Sequence, residues 1–367
     1  MLVTTVMSSA RVIFLGGLGR SGTTLLERML GEMPGVLALG EVVHLWARGV
    51  LADEKCGCGE AFSLCEHWRS VGEHAFGRWS CELAERVTEL RERVDRTRHI
   101  PALARQLWRV GRSGPSFEPR FEACSEPRSE PRFEPRFEPR RARSVPPGRG
   151  TRRIGRAAPP WESNPDLAEY ADIHNRLYSA ASMVSGCPVV VDSSKHASLA
   201  FCLAVGGVDL HVVQVVRDPR AVAHSWCRRV ARPEDGSLMT RWAPARTSVH
   251  WGVEHLALEL LARCGVPVTR VRYEDLLDAP RDTVSGLATA LGLPRRLDFL
   301  DDSEPRLSVR LSVAHTASGN PMRFTVGRLP LTRDDRWRTG LLDRHRRTVT
   351  ALTWPLMARY GYVEDAA

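Results

Sequence analysis

Residues 11–32, RVIFLGGLGRSGTTLLERMLGE, limit what this chain can become more than any other stretch. The run RVIFLG is apolar and strand-sized. A glycine-rich stretch follows, and from Thr23 to Glu32 the residues Leu25, Leu26, Met29 and Leu30 recur at helical spacing. A buried strand feeding a tight loop and then a helix is the opening unit of a parallel α/β sheet, in which helices cover the sheet faces. Gly17 to Gly22 fits G-x-x-x-x-G, but Thr23 and Thr24 stand where a triphosphate-binding loop has Lys followed by Ser or Thr. Backbone N–H groups from Arg20 to Thr24 can still face an oxyanion at the helix N-terminus, where the helix dipole adds partial positive charge. The positive side chain is Arg20, inside the loop, and a nest of this kind suits a single phosphate group.

The helix stops at Met33-Pro34-Gly35, and VLALGEVVHLW reads as a strand-like run carrying Glu41. Residues 78–110 have helical spacing with a charged outer face and predict one or two peripheral helices. Leu167, Tyr170, Ile173, Leu177, Ala181 and Val184 place an amphipathic helix over 165–185. It leads into CPVVVDSSK, a buried strand with Asp192 to Lys195 at its carboxyl end. Helix SLAFCLAVGG, strand DLHVVQVV, a helix through AVAHSWCRRV, helix 246–264, strand VPVTRVRY and a helix from DAPRDTV to LGL complete the alternation. The predicted class is α/β: a P-loop-like central parallel sheet flanked by helices, in one domain over residues 11–365. Functional residues are expected at the carboxyl ends of the strands.

That domain is interrupted. Residues 112–160 are rich in Pro, Arg and Glu, with FEPR-type tetrads from Phe117 to Arg140. A proline every fourth residue excludes helix and sheet, so this insertion is expected to be disordered or extended. It reads as a repeat expansion in a surface loop; the alternative is a recognition arm. The net charge of +9 fits an anionic ligand and equally an arginine-rich composition. The N-terminus lacks a signal-peptide pattern, and no apolar run is long and clean enough to span a bilayer, which leads to the expectation of a soluble, cytoplasmic protein. Most of the nine cysteines stand singly in apolar surroundings, as reduced core thiols do. The exception is KCGCGEAFSLCEH, where Cys56, Cys58, Cys65 and His67 offer three sulfurs and a nitrogen for zinc. The Cys-x-Cys start departs from the usual two-residue knuckle, and a disulfide or a plain loop is the favoured reading.

A second motif raises the weight of the first. In VVQVVRDPRAVAHSW a hydrophobic strand delivers Arg217 at its end, Pro219 supports the helix start, and Ser225 follows eight residues after Arg217. A guanidinium at a strand end and a hydroxyl two turns into the next helix can converge on one anion. On these two motifs the sequence resembles the sulfotransferases that use 3′-phosphoadenosine 5′-phosphosulfate (PAPS). The resemblance covers residues 11–76 and about 165–345, includes the Y-E-D-L segment at Tyr273 to Leu276, and excludes the FEPR insertion. It implies that Arg20, Ser21, Gly22, Thr23 and Thr24 hold the 5′-phosphosulfate and that Arg217 and Ser225 hold the 3′-phosphate.

Gly19-Arg20 stands where the cytosolic drug-conjugating branch has Pro-Lys, so the loop looks more like the tyrosylprotein and bacterial branches. That likeness implies Glu41, 21 residues after Arg20, as catalytic base, and Lys195 near the transferring group. Glu41 is otherwise a strand-end carboxylate paired with an arginine. A carboxylate within reach of the acceptor hydroxyl suits general-base work, and Arg20 with Lys195 would stabilise charge on the departing phosphate. No metal is demanded by this scheme, and Asp192 reads as an orienting or capping residue. Arg323 or Arg328 is the candidate for a late loop folded over PAPS, and His315 is either an acceptor-site base or a loop histidine. The expected acceptor is a hydroxyl, less readily an amine, of a small metabolite or glycan, with no nucleic-acid partner. A kinase or NTPase with a degenerate phosphate loop is the alternative enzyme class, and Thr23 argues against it.

Overall fold

The computed structural model describes residues 10–111, 164–229, 238, 240–301 and 307–363. The insertion expected over 112–160 lies outside these residues. Five parallel strands form the central sheet: β1 (Arg11–Gly16), β2 (Val36–Gly40), β3 (Val189–Lys195), β4 (Leu210–Val216) and β5 (Val268–Arg272). Their order is β2-β3-β1-β4-β5, so the strand entering the glycine loop sits at the centre. Its carboxyl end is flanked by β3, which carries Lys195, and by β4, which leads to Arg217.

Side chains alternate across the sheet as the strand period requires. Val12 and Phe14 of β1 join one buried cluster, with Val190, Leu210 and Val212 of its neighbours. Ile13 and Leu15 join a second, with Val189, Val191, Val213 and Val215. Both faces are therefore covered, as an all-parallel sheet needs.

The covering helices in chain order are α1 (Thr23–Gly31), α2 (Glu66–Phe76), α3 (Cys81–Val94), α4 (Ile100–Gly111), α5 (Pro165–Ser185), α6 (Ala197–Val205), α7 (Pro219–Cys227), α8 (Pro244–Arg263), α9 (Tyr273–Asp278), α10 (Pro280–Ala290), α11 (Trp337–Gly340) and α12 (Asp343–Arg359). A small antiparallel sheet of β6 (Leu300–Asp301), β7 (Ser308–Leu311) and β8 (Gly327–Pro330) packs near α1. Leu18 of the glycine loop is anchored in a third cluster with Val216, Val222, Trp251 and Tyr360. No described helix is long and apolar enough to cross a membrane.

The α/β class and the helix–strand alternation agree with the sequence expectation. One element differs: VLALGEVVHLW is not a continuous strand. β2 ends at Gly40, whose φ of 84° turns the chain, and residues 42–51 form a 3-10 turn followed by a π-helical turn. Backbone closes around Gly40, since a Cβ there would lie 2.7 Å from Ser318 O and 2.9 Å from Ala317 N. Glu41 is thereby placed just past the strand end.

Candidate active site

The loop from Gly17 to Gly22 is bent by three positive φ angles, at Gly17, Arg20 and Gly22. Glycine is required at both ends. A Cβ on Gly17 would come 2.5 Å from Val215 O, and one on Gly22 would overlap the Tyr273 ring. Arg20, at φ 73°, occupies a left-handed conformation that costs a side-chain-bearing residue energy and is held by its surroundings. Its guanidinium lies over the Trp226 ring at 5.0 Å, and Trp226 Nε1 donates to Gly19 O at 2.9 Å. Arg217 Nη1 donates to Arg20 O at 3.0 Å, with the Arg217 guanidinium over the Tyr273 ring at 4.5 Å. The two sequence motifs thus meet through backbone and ring contacts.

Helix α1 starts at Thr23 with Gly22 as N-cap and no side-chain cap, which leaves its first N–H groups without a partner from that residue. Ser21 Oγ and Arg217 Nε are buried and find no hydrogen-bond partner among the described residues. Unpaired buried donors of this kind are costly unless a ligand satisfies them. Thr23 and Thr24 are buried in the first turn, and Ser225 is half-buried on α7, one residue before Trp226. A small cleft beside Arg217 is lined also by Asp218, Tyr273, Glu274, Arg333 and Trp337.

Glu41 and Lys195 come together. Lys195 Nζ lies 2.5 Å from Glu41 Oε1, and both side chains are mostly buried. Lys195 also has a positive φ, 73°, and its carbonyl accepts from Gly17 N at 3.2 Å, so the pair is joined to the start of the glycine loop. Burial pushes the Glu41 carboxyl up, while the Lys195 ammonium, by its charge and its hydrogen bond, is the main influence pulling it down, and the group lies below the usual carboxylate range. His44 Nε2 is 3.7 Å from Glu41 Oε2, and burial drives that imidazole down to about 4, keeping it neutral. Gly319 covers the other side, where a Cβ would meet Glu41 Oε1 at 3.2 Å.

Asp192 accepts from Tyr178 Oη at 2.6 Å, Ser194 N at 2.8 Å and Ser194 Oγ at 2.5 Å, and Ser194 Oγ accepts from Val43 N at 2.9 Å. It orients the turn behind Glu41, in line with the orienting role read from sequence. Arg323 is buried. Its Nη1 donates to Thr316 O at 3.0 Å, and its guanidinium lies over Phe324. Arg328 Nε donates to Ser308 Oγ at 2.7 Å.

Two buried residues of α1 escaped the sequence reading. Glu27 accepts from Gly40 N at 2.5 Å and from Ser193 Oγ at 2.8 Å, and burial raises its carboxyl to about 7. Arg28 donates to the carbonyls of Arg323, Ser312 and Thr325. Together they tie α1 to the ends of β2 and β3 and to the segment after β7. Nothing local marks them, because every partner is distant in sequence. His315 stands apart from the Glu41 carboxylate contacts given above: its Nδ1 faces Cys56 and Cys65, while His67 stacks on its ring with centroids 4.9 Å apart.

Residues 12–297 match the sulfotransferase family model, well over half of the chain. No curated protein matches the chain in sequence. Among solved structures, the sulfotransferase domain of the Synechococcus PCC 7002 olefin synthase is similar at 18% identity and TM-score 0.41, with 94% of each chain covered. The sulfotransferase domain of the curacin biosynthetic pathway gives 15% identity and TM-score 0.41, covering 94% of this chain and 98% of that one. A sulfotransferase from Mycobacterium avium gives 13% identity and TM-score 0.37, covering 79% and 65%. The matched span takes in the strand, glycine loop and helix that open the fold and the Arg217 motif, and the chain belongs to the sulfotransferase family.

Proposed function

We propose that this protein moves a sulfuryl group from PAPS to a hydroxyl, less readily an amine, of a small metabolite or glycan. The observation that carries the reading is the Glu41–Lys195 pair beside a glycine loop whose Ser21 Oγ and neighbouring Arg217 Nε are buried with no hydrogen-bond partner among the described residues. Those donors, with the uncapped N-terminus of α1, suit an anionic co-substrate. Arg20, Ser21, Gly22, Thr23 and Thr24 hold its 5′-phosphosulfate, and Arg217 and Ser225 hold its 3′-phosphate. Arg323, on the late loop, is kept in this reading as a cofactor contact, positioned by its hydrogen bond to Thr316 O.

The acceptor O–H attacks sulfur in line with the bond to the departing phosphate. An O–S bond forms, the S–O bond to the phosphate breaks, and 3′-phosphoadenosine 5′-phosphate leaves. Glu41 takes the acceptor proton, a role worth roughly 10²–10⁴ in rate. Lys195 holds the carboxylate ionised before attack and turns its ammonium to the charge that grows on the bridging oxygen, alongside Arg20. The chemistry needs no metal, and a cytoplasmic setting supplies PAPS.

The test is mass spectrometry of a producing-cell extract incubated with enzyme and PAPS. A product heavier by one sulfuryl group, absent when Arg20→Ala replaces the wild type, supports the proposal. Transfer that persists unchanged in Arg20→Ala contradicts the role of the loop.

A further inference from the structure

The cysteine segment folds into a compact hairpin. Lys55 and Ala61 form an antiparallel bridge, Cys56 N donates to Glu60 O at 2.7 Å, and Gly59 N donates to Cys56 O at 2.9 Å with Gly59 at φ 96°. Cys56 and Cys58 lie on this hairpin, and Cys65 is the N-cap of α2. His315 arrives from the segment after β7. The distances from Cys65 Sγ are 3.6 Å to Cys56 Sγ, 3.8 Å to Cys58 Sγ and 3.3 Å to His315 Nδ1. Cys56 Sγ is 3.8 Å from His315 Nδ1. All four donor atoms lie within 4.8 Å of one another.

The four distances given are close to the edges of a tetrahedral zinc site. With Zn–S near 2.3 Å and Zn–N near 2.0–2.1 Å, sulfur–sulfur edges come to about 3.8 Å and sulfur–nitrogen edges to about 3.6 Å. A disulfide would bring two sulfurs to about 2.05 Å and leave the third sulfur and the imidazole unexplained. All eight described cysteines are free thiols. Cys56 and Cys65 are buried, and Cys58 and His315 half-buried, so the site is closed as structural zinc sites are. His67, offered by the sequence as the nitrogen ligand, stacks on His315 instead and fixes the plane of its ring.

We propose that Cys56, Cys58, Cys65 and His315 bind one Zn²⁺ in a closed tetrahedral site that fastens the segment after β7 to the cysteine hairpin and the start of α2. The three thiols lose their protons on binding. The fastened segment reaches Glu41 directly: Gly57 N donates to Thr316 O at 3.0 Å, Ala317 N to Leu39 O at 2.8 Å, and Glu41 N to Ser318 O at 3.1 Å. The metal thus sets the backbone that presents Glu41 and takes no part in bond making. The site stands on the four donor atoms alone, independently of the sulfuryl-transfer reading.

The test is the zinc content of the purified, untagged full chain by plasma mass spectrometry, with thiols counted in the same sample. Zinc near one per chain is expected, falling at least about tenfold in Cys65→Ser and His315→Ala. His315→Cys should keep it, since a fourth thiolate serves as ligand, and this separates ligation from a folding defect. Chelated wild-type protein given Co²⁺ should show thiolate-to-cobalt charge transfer and tetrahedral ligand-field bands. Wild-type protein without zinc that also fails to give that Co²⁺ spectrum overturns the proposal. So does zinc unchanged in both Cys65→Ser and His315→Ala, or a Cys56–Cys65 disulfide in protein purified under reducing conditions. Protein that carries zinc but does not bind 3′-phosphoadenosine 5′-phosphate would remove the functional reading and leave the zinc site standing.

Discussion

Lys195 Nζ sits 2.5 Å from Glu41 Oε1, joining the carboxyl end of β3 to the first residue beyond β2. The pair explains how a mostly buried carboxylate stays ionised. Desolvation alone would raise it, and the adjacent ammonium, by charge and by hydrogen bond, is the main influence that opposes this.

The pH dependence follows from this pair. A base must be deprotonated to act, so kcat/KM falls as pH drops through the Glu41 pKa, which lies below the ordinary carboxylate range. Lys195→Met removes the ammonium and leaves burial to dominate, so the acid limb of the profile should move to higher pH as overall activity falls. An acid limb that stays in place would show that Lys195 does not set the Glu41 charge.

Glu41→Gln should bind 3′-phosphoadenosine 5′-phosphate like the wild type and lose about 10²–10⁴ in turnover. Nucleotide titration and single-turnover kinetics on one preparation check both halves. Unchanged turnover removes Glu41 from the role of base.

Gly40 is fixed by geometry. A φ of 84° costs an alanine about 1–3 kcal/mol. The Cβ would in addition press on Ser318 O and Ala317 N, which belong to the segment that fixes Glu41 N. Gly40→Ala should therefore shift the urea midpoint to lower concentration and reduce turnover together, measured by denaturation and activity assays.

Glu27 gives a stability signature. Its folded pKa is raised to about 7 from an ordinary 4.5, so the folded state holds a proton that the unfolded chain releases. Its contribution to stability is fully present below about pH 4.5 and is lost as pH rises through about 7. Glu27→Gln should remove this pH-dependent contribution. The stability difference, variant minus wild type, should grow in the variant's favour between pH 5 and pH 8 in urea titrations, whereas a flat difference would mean that Glu27 is ionised in the fold.

The contrast between α1 and its partners shows what could be read from the sequence. Leu25, Leu26, Met29 and Leu30 were legible as an inward face because helical periodicity is a local signal. Glu27 and Arg28, equally buried, were not, since their burial depends on Gly40, Ser193 and carbonyls in the segment after β7. The strand alternation gave a parallel sheet but not the order that puts β1 between β3 and β4, which arises from long crossovers. Glu41 and Lys195 could be named one by one, but the pairing of their side chains could not. The cysteine segment shows the same limit. Spacing offered His67 as nitrogen donor, while the ring that meets the sulfurs is His315, which lies 250 residues beyond Cys65.

The most direct test of the account is calorimetric titration of the full chain with 3′-phosphoadenosine 5′-phosphate, in parallel with Arg217→Ala and with magnesium ATP. Binding at one site is expected, weakened roughly 10- to 100-fold by loss of the charge-assisted contacts of Arg217, with little affinity for magnesium ATP. Absence of binding by the 3′-phosphorylated nucleotide, with tight binding of magnesium ATP, would contradict it.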